Sequence, residues 1–422
     1  MGMKVKFLGA AQEVGRSSFL VDYGDKVLLD HGVKLHVEET SYPLEFNVNL
    51  DAVILSHAHL DHSGNIPHLY YNSNAINYMT SPTQEISHIM WKDTIKIANY
   101  DNVTPIYDKE QIDDALNNSF TVDYKKKIQI SDSTSFEFFD AGHICGAALT
   151  KLQMKNKTLL YSGDFKMHES RVHKGADFKS VGKVDYLMIE ATYGDRNQED
   201  RIEVEKRFIE SAQETVDNGG IALIPAFAVG RTQEIIQTLV DYKFSGNIYM
   251  DGMGKRVTQV FLRNPRYLRD QKALKKAMNK VKWIKDDRDR KKALKEGGAI
   301  VSTAGMLQGG PVYYYLPLII NDKKNKIILT GYQVEDTPGR TLMETGKLIL
   351  EEEVFDVNCP YERFDFSAHA DHDELFKAIE LVNPEKVVLV HGDPKVMAKF
   401  AAEIKEKGFT PVIPQLGHTV EL

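Results

Sequence analysis

Apolar positions along the first ~190 residues fall into short runs separated by glycine and polar turns. Lys4–Leu8, Phe19–Tyr23, Val27–Leu29 and Ala52–Leu55 are rich in β-branched and large apolar residues and predict strands. Ser135–Phe139, Thr158–Tyr161 and Tyr186–Ile189 predict three more. Between them, residues 81–100 predict a helix, with Ser81 as N-cap and Pro82 at the first helical position. Strands joined by tight turns, then strands mixed with helices, suggest stacked sheets flanked by helices.

From about Gly194 the texture changes. Helical periodicity runs from Asp200 to Asn218, from Arg231 to Tyr242 and from Asp270 to Lys280. Single strands alternate with these helices: Ile221–Pro225, Ile248–Met250, Ala299–Ser302 and Lys326–Thr330. That rhythm predicts a parallel α/β domain. After about Phe355 strand–loop pieces return, and Lys386–Val390 reads as a buried strand ending in His391. The expected organisation is a first domain over 1–193, a second over 194–355, and the first resumed over 356–422.

A length of 422 residues suits two or three domains, and 42% apolar with 27% charged residues fits a globular chain. The longest apolar runs, such as Tyr313–Ile320, are strand-sized and contain a proline, so no transmembrane helix is expected. No signal peptide is read at the N-terminus, and a cytoplasmic protein without membrane partners is expected. The two cysteines, Cys145 and Cys359, are too few for a zinc–thiolate site and are expected to be reduced and buried. The net charge of −7 excludes a uniformly basic surface, but not local contact with nucleic acid. Lys255–Lys295 is the exception, because Lys and Arg far outnumber Asp there. It reads either as the solvated face of several helices or as a phosphate-facing surface.

The chemistry concentrates at strand ends. Ser56-His57-Ala58-His59-Leu60-Asp61-His62 follows the strand at 52–55. Alternate residues of an extended chain point the same way, so His57 and His59 can approach one ion together. Asp61 and His62 lie one turn further and can reach a second. Imidazole and carboxylate are ligands that zinc accepts, with manganese as an alternative. Three histidines and an aspartate so close together are costly to bury without a metal. Ala141-Gly142-His143 and Ser162-Gly163-Asp164 each place one further ligand-type residue just past a strand, beside a glycine.

HAHLDH, AGHI and SGD, in this order, resemble the motifs of the metallo-β-lactamase superfamily, and Leu28-Leu29-Asp30-His31-Gly32 is similar to its first motif. Downstream, Glu190 in IEATYGDR, His369 in FSAHAD and His391 in LVHGDP resemble the diagnostic motifs of the β-CASP branch of RNA nucleases, nearest its archaeal relatives of the 3′-end cleavage nuclease. The resemblance implies an αββα sandwich carrying an inserted α/β β-CASP domain. It implies two Zn²⁺ ions, one held by His57, His59 and His143, the other by Asp61, His62 and His391, with Asp164 bridging. Asp30 supports the metal-binding loop, and His369, oriented by Glu190, protonates the leaving oxygen; with Asp61 these make up the expected catalytic group. The implied reaction is hydrolysis of single-stranded RNA to 5′-phosphate and 3′-hydroxyl ends, endonucleolytic first, with a 5′–3′ exonuclease mode also open. Relatives often form homodimers.

Substrate contact is expected in a cleft between the two domains. Gly230 and Arg231 at a strand–helix junction can receive a phosphate, or be a plain helix start with a surface arginine. Ser302 and Gly305 lie in a second glycine-rich loop, Ser302 to Gly310, assigned to the same contact. Two other readings remain: a metallohydrolase of small molecules, and a catalytically silent nucleic-acid-binding subunit. The first gives the inserted domain no role, and the second sits poorly with seven ligand positions all filled.

Overall fold

The computed structural model describes residues 2–35, 40–350 and 353–422. By internal contacts the chain divides into two units: residues 1–169, 173–197 and 368–422 form the first, and 170–172 with 198–367 the second.

The first unit is built on two seven-stranded mixed sheets. One runs in the order Thr419–Glu421, Lys4–Phe7, Phe19–Asp22, Lys26–Leu29, Ala52–Ile54, Ile76–Met79, Ser119–Thr121. The other runs Pro411–Val412, Lys386–Val390, Tyr186–Glu190, Lys157–Tyr161, Ala148–Met154, Thr134–Asp140, Lys127–Gln129. Period-two alternation sorts the side chains of the first sheet. Phe7, Phe19, Val21, Val27, Leu29 and Ile54 pack in one core with Phe136, Phe138, Leu152, Leu159, Met188 and Val390 of the second. The intervening Leu8, Leu20, Leu28, Val53 and Leu55 point the other way, onto Ile66, Trp91 and Ile112 from helices. Each buried aromatic or aliphatic chain contributes roughly 1.5–3 kcal/mol, and this double burial holds the first sheet between the second sheet and the helices. The architecture is the expected αββα sandwich.

One pairing places the site. Strand Tyr186–Glu190 runs parallel to Lys386–Val390, with Glu190 in register with Val390. The chain thus leaves the sandwich from one strand and returns in its neighbour, bringing Glu190 and His391 to one sheet end.

The second unit holds a six-stranded all-parallel sheet, ordered Lys282–Trp283, Ile248–Asp251, Gly298–Ser302, Ile221–Pro225, Lys326–Leu329, Tyr361–Arg363. Its central strands are buried throughout, as expected of strands covered by helices on both faces. Tyr361–Arg363 pairs with Lys326–Leu329, so residues 356–367 belong by contact to this unit and not to the returning part of the sandwich.

Two local readings differ from expectation. The apolar run at 313–320 is a helix, Val312–Ile319, not strand-sized extended chain. Its buried positions, Tyr315, Leu316 and Ile319, follow a helical spacing against the second unit's core, and continuous apolarity hid that period. The helix Ser81–Tyr100 is capped by Thr80, whose hydroxyl accepts from the Thr83 amide; Ser81 is therefore already inside it. Cys145 and Cys359 are both free and buried. Among the described residues no helix is long and apolar enough to cross a membrane.

Candidate metal centre

Seven side chains converge at one end of the two sheets. His57, His59 and His143 group with Asp164, and Asp61, His62 and His391 group with the same Asp164; within each group the ligand-type atoms lie no more than 4.8 Å apart. Asp164 Oδ2 is 3.6 Å from His57 Nε2, 3.3 Å from His62 Nε2 and 3.8 Å from His143 Nε2, while its Oδ1 is 3.5 Å from His391 Nδ1. His143 Nε2 faces His59 Nδ1 at 3.0 Å, and His391 Nε2 faces Asp61 Oδ2 at 3.2 Å.

The backbone is bent to achieve this. Asp30 and His391, both just past strand ends, hold φ of +54° and +51°. Non-glycine residues in this region cost energy and persist only where surrounding structure fixes them. Gly32 has no alternative: a Cβ there would lie 1.8 Å from the carbonyl oxygen of Asp61. Its amide is bonded to Ser17, so the ligand loop packs backbone against backbone.

Hydrogen bonds on the far ring nitrogens select the tautomers. The His62 Nδ1–H donates to Asp30 Oδ2 at 2.7 Å. The His143 Nδ1–H donates to the Ala368 carbonyl at 2.8 Å. The Ser56 hydroxyl donates to Asp30 Oδ2 at 2.7 Å and so accepts from His57 Nδ1 at 3.0 Å. In all three rings Nε2 is left turned into the cluster, the arrangement that metal-binding histidines adopt. His57 Nε2 and Asp164 Oδ1 are buried and have no hydrogen-bond partner among the described residues. An orphaned imidazole nitrogen beside an orphaned carboxylate oxygen, in a set of nitrogen and oxygen donors, fits a divalent cation.

The charges divide unevenly: burial works against the His62 cation, but Asp164 and Asp61 outweigh it and raise its pKa well above the ordinary value. Burial drives the pKa of His57 and His143 well below the ordinary value, aided by neighbouring imidazoles, so both are neutral. Burial opposes the charge on Asp164, yet His391 and His62 hold it well below the usual carboxylate range. Asp61 is lowered in the same way, against burial, by His62 and His391.

Glu190 and His369 form a second element beside the cluster. Glu190 is buried, accepts the Phe165 amide at 2.9 Å and the Thr192 hydroxyl at 2.6 Å, and receives His369 Nδ1–H at 2.9 Å. Burial works against the His369 cation, but the charges of Glu190 and Asp164 outweigh it and raise its pKa to about 9. His369 Nδ1 lies 3.9 Å from Asp164 Oδ2, and its ring stacks on His391 with centroids 6.1 Å apart.

Three matches to family models cover most of the chain. Residues 19–192 match a metallo-beta-lactamase superfamily domain, 232–342 a Beta-Casp domain, and 355–414 a Zn-dependent metallo-hydrolase RNA specificity domain. "Probable RNase MJ4" of Methanocaldococcus jannaschii is 40% identical over the whole of both chains. The chain belongs to the β-CASP branch of the metallo-β-lactamase superfamily. Other β-CASP relatives are "RNase aCSPSF2" of Saccharolobus solfataricus, 34% identical over all of this chain and 86% of its own, and "Transcription termination factor FttA" of Pyrococcus abyssi, 34% identical over all of this chain and 71% of its own. A solved structure, a protein of unknown function from Enterococcus faecalis V583, shares the β-CASP protein's fold with a TM-score of 0.64 over the full length of both, at 13% identity.

Sequence reasoning did not single out the supports of this β-CASP site. Ser56 and the Tyr161 hydroxyl, which donates to Asp30 at 2.7 Å, hold the aspartate beneath the ligands. Thr192 links Glu190 to His391, at 2.6 Å to the carboxylate and 3.3 Å to the His391 carbonyl oxygen. Ser56 directly precedes the histidine motif, and Thr192 lies two residues past Glu190; those positions were the available signals. The expected substrate contacts lie in the second unit. Gly230, with φ +80°, caps the helix Arg231–Asp241, and the Arg231 guanidinium lies 6.0 Å from the centre of the Phe366 ring. Ser302 is buried at a strand end, its hydroxyl turned to the Thr303 carbonyl at 3.3 Å. The Gly305 carbonyl accepts from Gln333 Nε2 at 3.3 Å.

Proposed function

We propose that this chain is a zinc-dependent ribonuclease that hydrolyses phosphodiesters of single-stranded RNA, leaving 5′-phosphate and 3′-hydroxyl ends. The observation that carries this reading is the sharing of Asp164 between two complete ligand sets, with a charged Glu190–His369 pair alongside. The match to an RNA specificity domain and the ribonuclease names of its relatives supply the substrate class.

The residues present would hold two cations: His57, His59 and His143 one, Asp61, His62 and His391 the other, with Asp164 common to both. Bound there, such cations supply Lewis acidity towards phosphate charge and lower the pKa of water to about 7. Asp30 fixes the tautomer of His62 directly, and that of His57 through Ser56. Glu190 accepts the Nδ1 proton of His369, which leaves the Nε2 proton for transfer. Held charged near neutral pH, His369 is the general acid that delivers this proton to the departing 3′ oxygen, and a 3′-hydroxyl results. Arg231, Gly230, Ser302 and Gly305 remain the residues assigned to substrate.

The test is digestion of labelled RNAs bearing a 5′-monophosphate or triphosphate, with DNA and a chromogenic lactam in parallel. Zinc-dependent RNA fragments with 5′-phosphate ends are expected. Turnover of the lactam without RNA cleavage would favour the small-molecule reading, and bound metal without any turnover would favour a silent subunit.

A further inference from the structure

The segment Lys255–Lys295 holds 16 Lys and Arg against 4 Asp, a net +12 within a chain of net −7. The remainder of the protein is therefore at −19, and the basic charge is concentrated. Within the segment the helices Gly254–Arg263, Gln271–Met278 and Asp287–Glu296 divide it unequally. On the last, Arg288 pairs with Asp286, Arg290 with Asp251 and Lys292 with Glu296, so much of its charge is answered internally.

The middle helix differs. Leu274, Ala277 and Met278 are buried, and Lys272, Lys275, Lys276 and Lys280 are exposed. At 3.6 residues per turn these four lysines span an arc of about 140° opposite the buried stripe. The helix contains no acidic residue, and its N-cap Asp270 is spent on the Ala273 amide. Among the described residues no carboxylate lies within ion-pair distance of any of the four. Lys272–Lys276 are like charges at i,i+4 within the helix, a spacing that destabilises an isolated helix, and Lys280 follows just past its C-cap. At Arg340–Glu344 the same spacing is taken by opposite charges. A continuous basic face maintained against its own repulsion, with no internal counter-charge, suits an external polyanion with regularly spaced charges.

We infer that the exposed face of helix Gln271–Met278, extended by Lys280, binds the sugar–phosphate backbone of single-stranded RNA without regard to sequence. The inference rests on the ribonuclease reading for the identity of the polyanion. Lysine contributes point-charge contacts to phosphates and no base-edge code, so the contact adds affinity and leaves cleavage-site choice to other residues.

The experiment compares the full-length wild-type protein with Lys272→Gln/Lys275→Gln/Lys276→Gln/Lys280→Gln, in which helix propensity is preserved. A charge-matched control carries Lys109→Gln/Lys179→Gln/Lys323→Gln/Lys395→Gln, all at exposed positions. Binding of a labelled single-stranded RNA is measured in chelator at a series of salt concentrations, and cleavage of a short oligonucleotide is measured at saturation with zinc. The helix variant is expected to bind on the order of tenfold more weakly at low salt, with log K against log[salt] shallower by about 2–3, while its kcat is retained. The control is expected to keep the wild-type slope. Equal slopes in wild type and helix variant, or an equal loss in the control, would overturn the inference. So would loss of binding to phosphatidylglycerol-containing vesicles in the variant with RNA affinity unchanged, which would assign the face to a membrane. Absence of cleavage by wild type in zinc would count against the ribonuclease reading instead, since the binding measurement does not depend on it.

Discussion

His391 Nε2 lies 3.2 Å from Asp61 Oδ2, although 330 positions separate them in the chain. The contact joins the segments that follow Ala52–Ile54 of one sheet and Lys386–Val390 of the other, and on the proposed two-ion reading each residue completes the other's ligand set. His391→Ala is therefore expected to remove the ion of the Asp61–His62 set and leave that of His57, His59 and His143. Metal content by plasma emission, read beside circular dichroism, should fall from two ions to one with the fold kept. Asp164→Ala, which takes a ligand from both sets, should lose more metal and at least 10³-fold in cleavage, in proportion to the barrier that paired ions remove. Retention of two ions in Asp164→Ala would contradict the shared-ligand assignment.

The Glu190–His369 pair makes a different prediction. His369→Ala should keep both ions and lose roughly 10²–10⁴-fold in kcat, the usual range for a positioned general acid. Because Glu190 helps raise the His369 pKa to about 9, cleavage by wild type should fall as pH rises through that value. Glu190→Gln removes the charge but not the hydrogen bond, and should move the alkaline limb to lower pH. An unmoved limb would detach His369 from proton transfer.

Asp30 is not placed to touch a substrate. Its carboxylate accepts from the Ser56 amide, the Ser56 hydroxyl, His62 Nδ1 and the Tyr161 hydroxyl, all at 2.7 Å. Asp30→Ala should weaken zinc binding about 10–100-fold, as loss of a ligand's supporting partner does. Competition with a chromogenic chelator gives the affinity directly. Tyr161→Phe should do the same to a smaller extent.

His31 provides a pH signature in stability. Burial, with a smaller contribution from His68, lowers its pKa to about 3 from 6.5. Its ring is held between the Ser18 hydroxyl and the Asn65 amide, at 3.0 and 2.8 Å. The unfolded chain takes up a proton below pH 6.5 and the folded one does not until about pH 3. Stability is thus full above 6.5 and declines as pH falls between those values, by up to ~1.4 kcal/mol per pH unit from this group. In urea titrations of metal-free protein, His31→Gln should be less stable at pH 7 but lose less between pH 6 and pH 4. A steeper loss in the variant would refute this.

The candidate ligands could be picked out in the sequence because His57, His143, Asp164 and His391 stand just past strands that are themselves readable, while Asp61 and His62 follow in the short helix Leu60–Ser63. Ile221–Pro225 and Lys386–Val390 match their expected bounds to the residue, since an unbroken buried run bounded by polar turns has one interpretation. Ala148–Met154 escaped notice. It pairs on both sides in the middle of the second sheet, yet opens with three buried positions before it alternates, and its lysine and glutamine dilute the pattern. Ser119–Thr121 and Lys127–Gln129 are edge strands with mostly exposed side chains, so no apolar signal marks them. Ser56, Tyr161 and Thr192 were invisible for another reason: hydroxyl residues are common, and only the fold shows that these three meet carboxylates.

The neighbouring strands that flank the insertion also set a timetable. Thr192 and the His391 carbonyl are bonded across 199 intervening steps of chain. A ribosome must finish the whole parallel-sheet unit before His391 exists to take its place. On the proposed two-ion reading, the growing polypeptide would until then carry three histidines for one cation and an open flank in place of the other. A nuclease whose proposed centre is assembled in this order would stay unarmed beside its own message until translation is nearly over.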